Sequence, residues 1–283
     1  MWADTSSDDS VGPGSHSAQG AVRAPETSLE SGLRLLSVFV EHGPTLGVSE
    51  VARRTGTAKT TAYRRLVGLE RAGFILRDGQ RYRLSWLLFE LGSRSTPSWP
   101  RGLRDAVSPW LTYLHVRCRG AVAHIAVLDK GELLYLDRVS SPASPDVPSA
   151  AGMRRSPTST GLGKALLAFT PIQAVSEVVR SEPASRASET TTARSALTRQ
   201  LRLARRTGVA IDDGETERGL YCIASPVVRS GEAVCAISVA GSRRDLDGHG
   251  FEGLVGRVAQ RIAADLSVGA RPAPPAREQR PVP

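Results

Sequence analysis

The chain has 283 residues, 40% of them hydrophobic and 23% charged, with a formal net charge of +9, as in a soluble globular protein of roughly two domains. No apolar run approaches the roughly 18 to 20 residues that a membrane span needs, since even Leu84–Leu91 is broken by Ser85 and Glu90. Three cysteines (Cys118, Cys222, Cys235), without CxxC spacing, suit neither a disulfide framework nor a zinc finger. The polar start MWADTSSDDSVGPGSHSAQG predicts no secretory leader, so the expectation is a cytoplasmic protein with reduced thiols, no metal and no cofactor.

The charge is unevenly spread. Residues 1–27 carry Arg23 against Asp4, Asp8, Asp9 and Glu26, a net of −3. Residues 28–85 carry ten Arg or Lys against five Asp or Glu, a net of +5 in a short stretch. A polyanionic partner is therefore sought first between 28 and 85.

In chain order, residues 1–27 lack periodicity and read as a disordered arm. Leu29, Leu33, Leu36, Phe39 and Val40 then repeat at helical spacing, with Thr27-x-x-Glu30 as a capping box and His42-Gly43-Pro44 as the stop. A short helix fits Ser49–Thr55, with Ser49 as N-cap and Gly56 as C-terminal stop. Thr57 caps a third helix, Ala58–Ala72, whose core face is Ala62, Leu66 and Leu69. Two short strands follow around Asp78-Gly79, a strong hairpin signal. Three helices, a three-residue turn between the last two, and a basic hairpin describe a winged helix-turn-helix over residues 28–85.

Helical geometry assigns the reading face. With Ala62, Leu66 and Leu69 in the core, Thr60, Thr61 and Arg64 are the candidate base readers, flanked by Lys59, Tyr63 and Arg65. Arginine suits a bidentate contact with guanine, whereas Lys59 and Tyr63 suit phosphates. Arg77, Arg81 and Arg83 on the wing are expected on a flanking backbone or in the minor groove.

Residues 86–99 form a linker: an apolar helix near Trp86–Leu91, whose pairing with its own copy predicts a homodimer, and then a hinge with two prolines. Beyond residue 100, amphipathic helices at Arg101–Arg117 and His249–Leu266 flank strands at Ala121–Leu128, Glu132–Val139, Gly208–Asp212, Tyr221–Val228 and Ala233–Ala240. Helical stretches lie between them at Gly161–Phe169, Ile172–Arg180 and Thr192–Arg206. This predicts an α+β sensor domain over 100–268 with a mostly antiparallel sheet. Residues 269–283 read as a disordered Pro/Arg tail.

The order of several segments resembles the IclR family of bacterial transcriptional regulators. They are Gly47–Gly56 (GVSEVARRTG), Lys59–Arg64 (KTTAYR), Tyr82-Arg83-Leu84, Leu134–Val139 (LYLDRV), Gly161–Ala168 (GLGKALLA), and Ala210-x-Asp212-Asp213-x-Glu215 followed by Gly219 and Cys222. The resemblance implies a GAF-like effector domain, dimers or tetramers, and operator binding altered by a small metabolite, commonly a carboxylate. By motif it places Ser159, Thr160 and Gly161 at the anion end of an effector site, with Asp212, Leu220, Cys222 and Ser238 on its other walls. Amides at a helix N-terminus suit an anion. Thr158 stands where many members have His, and Ala240 where a hydroxyl is common, which predicts a less polar pocket. Tyr63 and Arg65 also depart from the commoner His and Leu.

The leading expectation is thus a DNA-binding regulator, more often a repressor, without catalytic residues. Two other classes compete. One is a regulator whose pocket is vestigial and which answers to a protein partner. The other is a GAF-domain thiol enzyme, against which stands the lack of a His or Lys partner in the local sequence of Cys222 and Cys235.

Overall fold

The computed structural model describes residues 27–94, 103–181 and 191–268, in two compact units that divide between Ser98 and Trp99. The expected arms, 1–26 and 269–283, and the hinge at 95–102 lie outside the described residues.

The first unit runs α1 (Ser28–His42), β1 (Thr45–Gly47), α2 (Val48–Thr55), α3 (Lys59–Arg71), β2 (Ile75–Asp78), β3 (Arg81–Leu84) and α4 (Trp86–Arg94). The capping box of α1 forms as its sequence predicts: the Glu30 amide donates to Thr27 Oγ1 at 3.2 Å and the Thr27 amide to the Glu30 carboxylate at 2.7 Å. Two other caps differ from expectation. The N-cap of α2 is Gly47, not Ser49, and its amide donates to Glu50 Oε2 at 2.8 Å. The chain enters α2 directly from β1, so the helix starts earlier and a glutamate three residues on takes the carboxylate half of the cap. The N-cap of α3 is Ala58, with no side-chain bond, while Thr57 Oγ1 sits 2.9 Å from Thr55 Oγ1. Its hydroxyl is therefore drawn back onto the end of α2. Gly56, at φ +65°, closes α2 with its amide on the Ala52 carbonyl, a left-handed turn that glycine makes cheaply.

The core of this unit takes Leu35, Val38 and Phe39 from α1, Val51 from α2, Ala62, Leu66 and Leu69 from α3, and Ile75 and Tyr82 from the wing. Leu29, Leu33 and Val40 are instead exposed. Their offsets of four and seven residues put them on one outward stripe, so the apolar repeat of α1 mixes two faces. The wing is a three-stranded sheet in the order β1-β3-β2. Its turn is centred on Gly79-Gln80 rather than Asp78-Gly79, because Asp78 pairs with Arg81. A two-residue hairpin needs positive φ at its first central position, and Gly79 supplies it at +59°. β1, three residues long, is too short to show a period of its own.

The second unit holds α5 (Leu103–Arg117), β4 (Val122–Asp129), β5 (Glu132–Val139), β6 (Arg154–Arg155), α6 (Gly161–Leu167), α7 (Ile172–Ser181), α8 (Thr191–Thr207), β7 (Ala210–Asp213), β8 (Leu220–Arg229), β9 (Glu232–Ser242), α9 (Arg243–Leu246) and α10 (Phe251–Val268). Its sheet is antiparallel throughout, in the order β6-β5-β4-β9-β8-β7. Alternate residues serve its two faces. Ala123, Ile125, Ile223, Cys235, Ile237 and Val239 pack with α5 and α10. Val122, Ala126, Cys222, Ala224, Ala236 and Ala240 face α6.

The small residues on that second face let α6 lie close to the strands. A Cβ at Gly161 would stand 3.1 Å from Cys222 Sγ, and one at Gly163 only 2.2 Å from the Pro157 carbonyl oxygen. The latter contact cannot be met without moving backbone. Gly163→Ala is accordingly expected to destabilise the chain by about 1 to 3 kcal/mol or more, read as a lower urea midpoint; an unchanged midpoint would show that the loop at Pro157 yields freely.

Candidate nucleic-acid interface and ligand cavity

On α3, Lys59, Thr60, Tyr63 and Arg64 are exposed, and Thr61 and Arg65 are half-buried. The opposite side of the helix carries the buried Ala62, Leu66 and Leu69. Among the described residues, no ion pair engages Lys59 or Arg64, so both cations are available to a polyanion. Arg53 and Arg54, exposed at the end of α2, add to this charge and were not among the residues singled out by sequence.

The three wing arginines do not act alike. Arg81 Nη2 donates to the Thr45 carbonyl at 2.7 Å and lies 3.1 Å from Glu50 Oε2, so it fastens the wing to the start of α2. Arg77 Nε donates to the Gly79 carbonyl at 3.0 Å, with its guanidinium 6.0 Å from the Tyr82 ring centre. Arg77 is the cross-strand partner of Tyr82, whereas Arg81 and Arg83 fall on the other side of the ribbon. Arg83 is exposed and has no such tie. The Glu50 carboxyl is held below its ordinary pKa by the Gly47 amide first, with Arg81 contributing.

In the second unit, six of the seven residues assigned to an effector site surround one cavity: Thr160, Gly161, Asp212, Leu220, Cys222 and Ser238. Its volume is about 20 Å³, room for roughly one water molecule. Ser159 is not among the lining residues. Its carbonyl instead accepts from Thr216 Oγ1 at 3.2 Å, which fastens the β7–β8 turn to the segment before α6. Thr160 does cap α6, accepting the Gly163 amide at 3.1 Å.

Sequence reasoning missed several walls, chiefly His124, Tyr135 and Thr216. His124 Nε2 lies 2.7 Å from Ser149 Oγ and Nδ1 lies 3.3 Å from Ser238 Oγ; its ring meets Tyr135 edge to face at 5.3 Å. Burial pushes the His124 pKa down to about 3, with the Arg138 guanidinium adding to the effect, so the imidazole is neutral at ordinary pH. The available signal was a single polar residue within the apolar run Val122–Leu128, in phase with Val122 and Ala126.

Asp212 has a structural task of its own. Its Oδ1 accepts the Glu215 amide at 2.8 Å and the Thr216 amide at 3.3 Å, and burial raises its pKa against the pull of these bonds. Next to it, the buried Lys164 places Nζ 2.7 Å from Glu215 Oε1, which also accepts from Gln200 Nε2 at 2.9 Å. The turn between β7 and β8 is therefore held at Asp212, Thr216 and Glu215. The thiols of Cys118, Cys222 and Cys235 are all pushed up to about 12 by burial, far from the thiolate that redox or nucleophilic chemistry uses.

A winged helix-turn-helix whose α3 exposes Lys59 and Arg64, in one chain with an α+β unit whose sheet and α6 enclose a small cavity, defines a ligand-sensing DNA-binding regulator. The model of the IclR helix-turn-helix domain matches residues 28–79, and that of the bacterial transcriptional regulator IclR C-terminal domain matches residues 100–268. The chain belongs to the IclR family of bacterial transcriptional regulators. It is 32% identical to the glycerol operon regulatory protein of Streptomyces griseus, over 86% of this chain and 97% of that one. It is 29% identical to the HTH-type transcriptional repressor AllR of Klebsiella pneumoniae, over 85% of this chain and 90% of that one. Among solved structures, an IclR homologue from Microbacterium hydrocarbonoxydans complexed with 4-hydroxybenzoate is 25% identical, with a TM-score of 0.75 over 86% of this chain and all of that one. No described helix is long and apolar enough to cross a membrane.

The neutral His124 sets a pH dependence. Its folded pKa lies below the ordinary value of about 6.5, so the unfolded chain binds the extra proton and stability falls as pH drops from about 6.5 towards 3. Above about 6.5 the group contributes no slope. The expected slope approaches 1.4 kcal/mol per pH unit from this residue. Urea titrations from pH 7 to 4 of wild type and His124→Gln check it: the two curves are expected to converge as pH falls, and parallel curves would mean that His124 takes up a proton in the fold.

Proposed function

We propose that this regulator grips a duplex operator as a homodimer or homotetramer, represses from it in the cytoplasm, performs no catalysis, and changes its operator affinity when a small carboxylate enters the sensor cavity. The observation that carries the DNA reading is the exposed, unpaired Lys59–Arg64 face of α3, set opposite the buried Ala62, Leu66 and Leu69. Thr60, Thr61 and Arg64 read base edges. Lys59, Tyr63 and Arg65 hold phosphates, and the wing reaches the flanking backbone through Arg83 and Arg77, with Arg81 mainly bracing it. The AllR relative is named a repressor, which supports the same sense here.

Assembly rests on apolar surface that the first unit leaves open. Leu29, Leu33 and Val40 on α1 and Trp86 and Phe89 on α4 are all exposed, with Trp86 and Phe89 stacked edge to face at 6.3 Å. A self-complementary pair of such surfaces buries them in a two-fold dimer, and two recognition helices then address major grooves about one DNA turn apart.

For the effector, the start of α6 at Thr160 and Gly161 receives the carboxylate, and Asp212, Leu220, Cys222 and Ser238 form the walls, with Ser159 acting through its tie to Thr216. The Microbacterium relative, complexed with the carboxylate 4-hydroxybenzoate, supports this class. A second reading, a vestigial pocket with control by a protein partner, is favoured by the cavity volume of about 20 Å³.

Two experiments test these assignments. Arg64→Ala is expected to cost about 1 to 3 kcal/mol on the specific operator and little on random duplex, whereas Lys59→Ala weakens both alike and lowers the salt slope by about one. Fluorescence anisotropy on both duplexes checks this, and equal losses for Arg64→Ala would make it a phosphate contact. Phe89→Glu is expected to lower the association state in sedimentation velocity and to weaken operator binding; an unchanged state would move the dimer contact elsewhere.

A further inference from the structure

We infer that the groove between α7 and α8 is a second ligand site, one that takes an amphiphilic acid: an extended apolar body with an acidic head. The groove is separate from the sensor cavity, since no residue lines both, and it is independent of what that cavity binds.

Its volume is about 760 Å³, within the range of about 300 to 1,000 Å³ of small-molecule sites. Two helical stripes line it. α7 contributes Ile172, Val175, Ser176 and Val179, and α8 contributes Arg194, Leu197, Thr198, Leu201 and Arg205, in each case at the spacing of one helix face. The end of α6 adds Leu167, and the Phe169 ring follows it. Ile172 is 70% exposed among these apolar neighbours, so an apolar body would bury surface that the fold leaves in water.

Charge says what that body carries. α8 holds Arg194, Arg199, Arg202, Arg205 and Arg206 and no Asp or Glu. Among the described residues, none of the five is in an ion pair. Like charges three and four residues apart on a helix repel, a cost that a bound anion relieves. Arg194, Arg202 and Arg205 line the groove, against Glu232 at the start of β9 as its carboxylate. Arg205 is already aimed: its Nη1 donates to the Ala168 carbonyl at 2.9 Å, and its guanidinium lies 5.4 Å from the Phe169 ring centre. A guanidinium has five N–H donors, so most of them stay available. Arg202 lies about one helical turn before Arg205. This pair clamps the head, and the body runs along Leu201 and Leu197. Either half of such a ligand fits poorly by itself. A bare anion leaves the apolar stripes in water, and a neutral chain covers guanidinium groups without pairing them.

Calorimetric titration of the full-length protein with decanoate, butyrate and 1-decanol tests the site. Decanoate is expected to bind about tenfold or more tighter than butyrate, because its longer chain buries more apolar surface. It is expected to exceed 1-decanol by about tenfold or more, because the alcohol offers no charge to the arginines. Arg202→Glu is expected to weaken decanoate about tenfold or more, and Arg199→Glu, the same change of charge on the same helix but outside the groove, less than about threefold. Arg202 is exposed; should Arg202→Glu still not fold, Arg202→Gln removes the charge alone and is expected to act in the same direction. Absence of decanoate binding overturns the site, as does equal affinity for decanoate and either butyrate or 1-decanol. Equal losses in Arg202→Glu and Arg199→Glu, or unchanged affinity in Arg202→Glu, overturn it as well, since the acid then binds elsewhere on the chain.

Discussion

The sensor unit depends on one close approach, that of α6 to the sheet. Because residues 161 and 163 have no side chain, the backbone of the helix lies against Cys222 and Ala224 on one side and Pro157 on the other. All seven residues of α6 are buried as a result, Lys164 among them. A buried ammonium needs an opposite charge, and Glu215 on the β7–β8 turn supplies it. The cap at Thr160, the ion pair at Lys164 and the fastening of that turn thus follow from the same two glycines. Where they draw the helix onto the strands, the small side chains of the sheet leave the cavity.

Much of this was legible in sequence, for reasons that differ by element. The third helix shows three apolar residues at helical spacing with threonines and cations between them, and burial follows that period. The largely apolar runs Tyr221–Val228 and Ala233–Ala240 locate two inner strands, since each serves two packed faces. What escaped was set by neighbours rather than by local pattern. Ser49 and Thr57 are good caps by type, but β1 and the Thr55 hydroxyl decide where α2 begins and where Thr57 turns. Leu29, Leu33 and Val40 share a period with buried residues, and only the packing of α2 and α3 on α1 decides which stripe is covered.

The candidate site divides in the same way. Its glycine-rich and acidic segments carry recognisable order, so Thr160, Gly161, Asp212 and Cys222 could be placed together. His124 lies on a strand otherwise read as core, where one polar residue among apolar ones is commonly a satisfied histidine. Its significance depends on register: β4 lies beside β9 through a pairing distant in sequence, which sets the imidazole against Ser238. Asp212 shows the converse. Its type suggested a ligand contact, and its Oδ1 is occupied by two turn amides.

The small cavity bears on how a signal arises. A ligand of more than a few atoms enters only if the walls part, and one of those walls is the turn from Gly214 to Gly219. Three side chains fasten it: Thr216 to the Ser159 carbonyl, Glu215 to Lys164, and Asp212 to the turn's own amides. Two of these ties end in or next to α6. An effector that displaces the turn therefore also loosens the charge partner of a buried lysine, whose cost is carried by the open form alone. A ligand shifts a conformational equilibrium only by its difference in affinity for the two forms. Here the closed form has almost no room for it, so nearly all of its binding free energy discriminates between them. A cavity of about 20 Å³ is thus compatible with sensing.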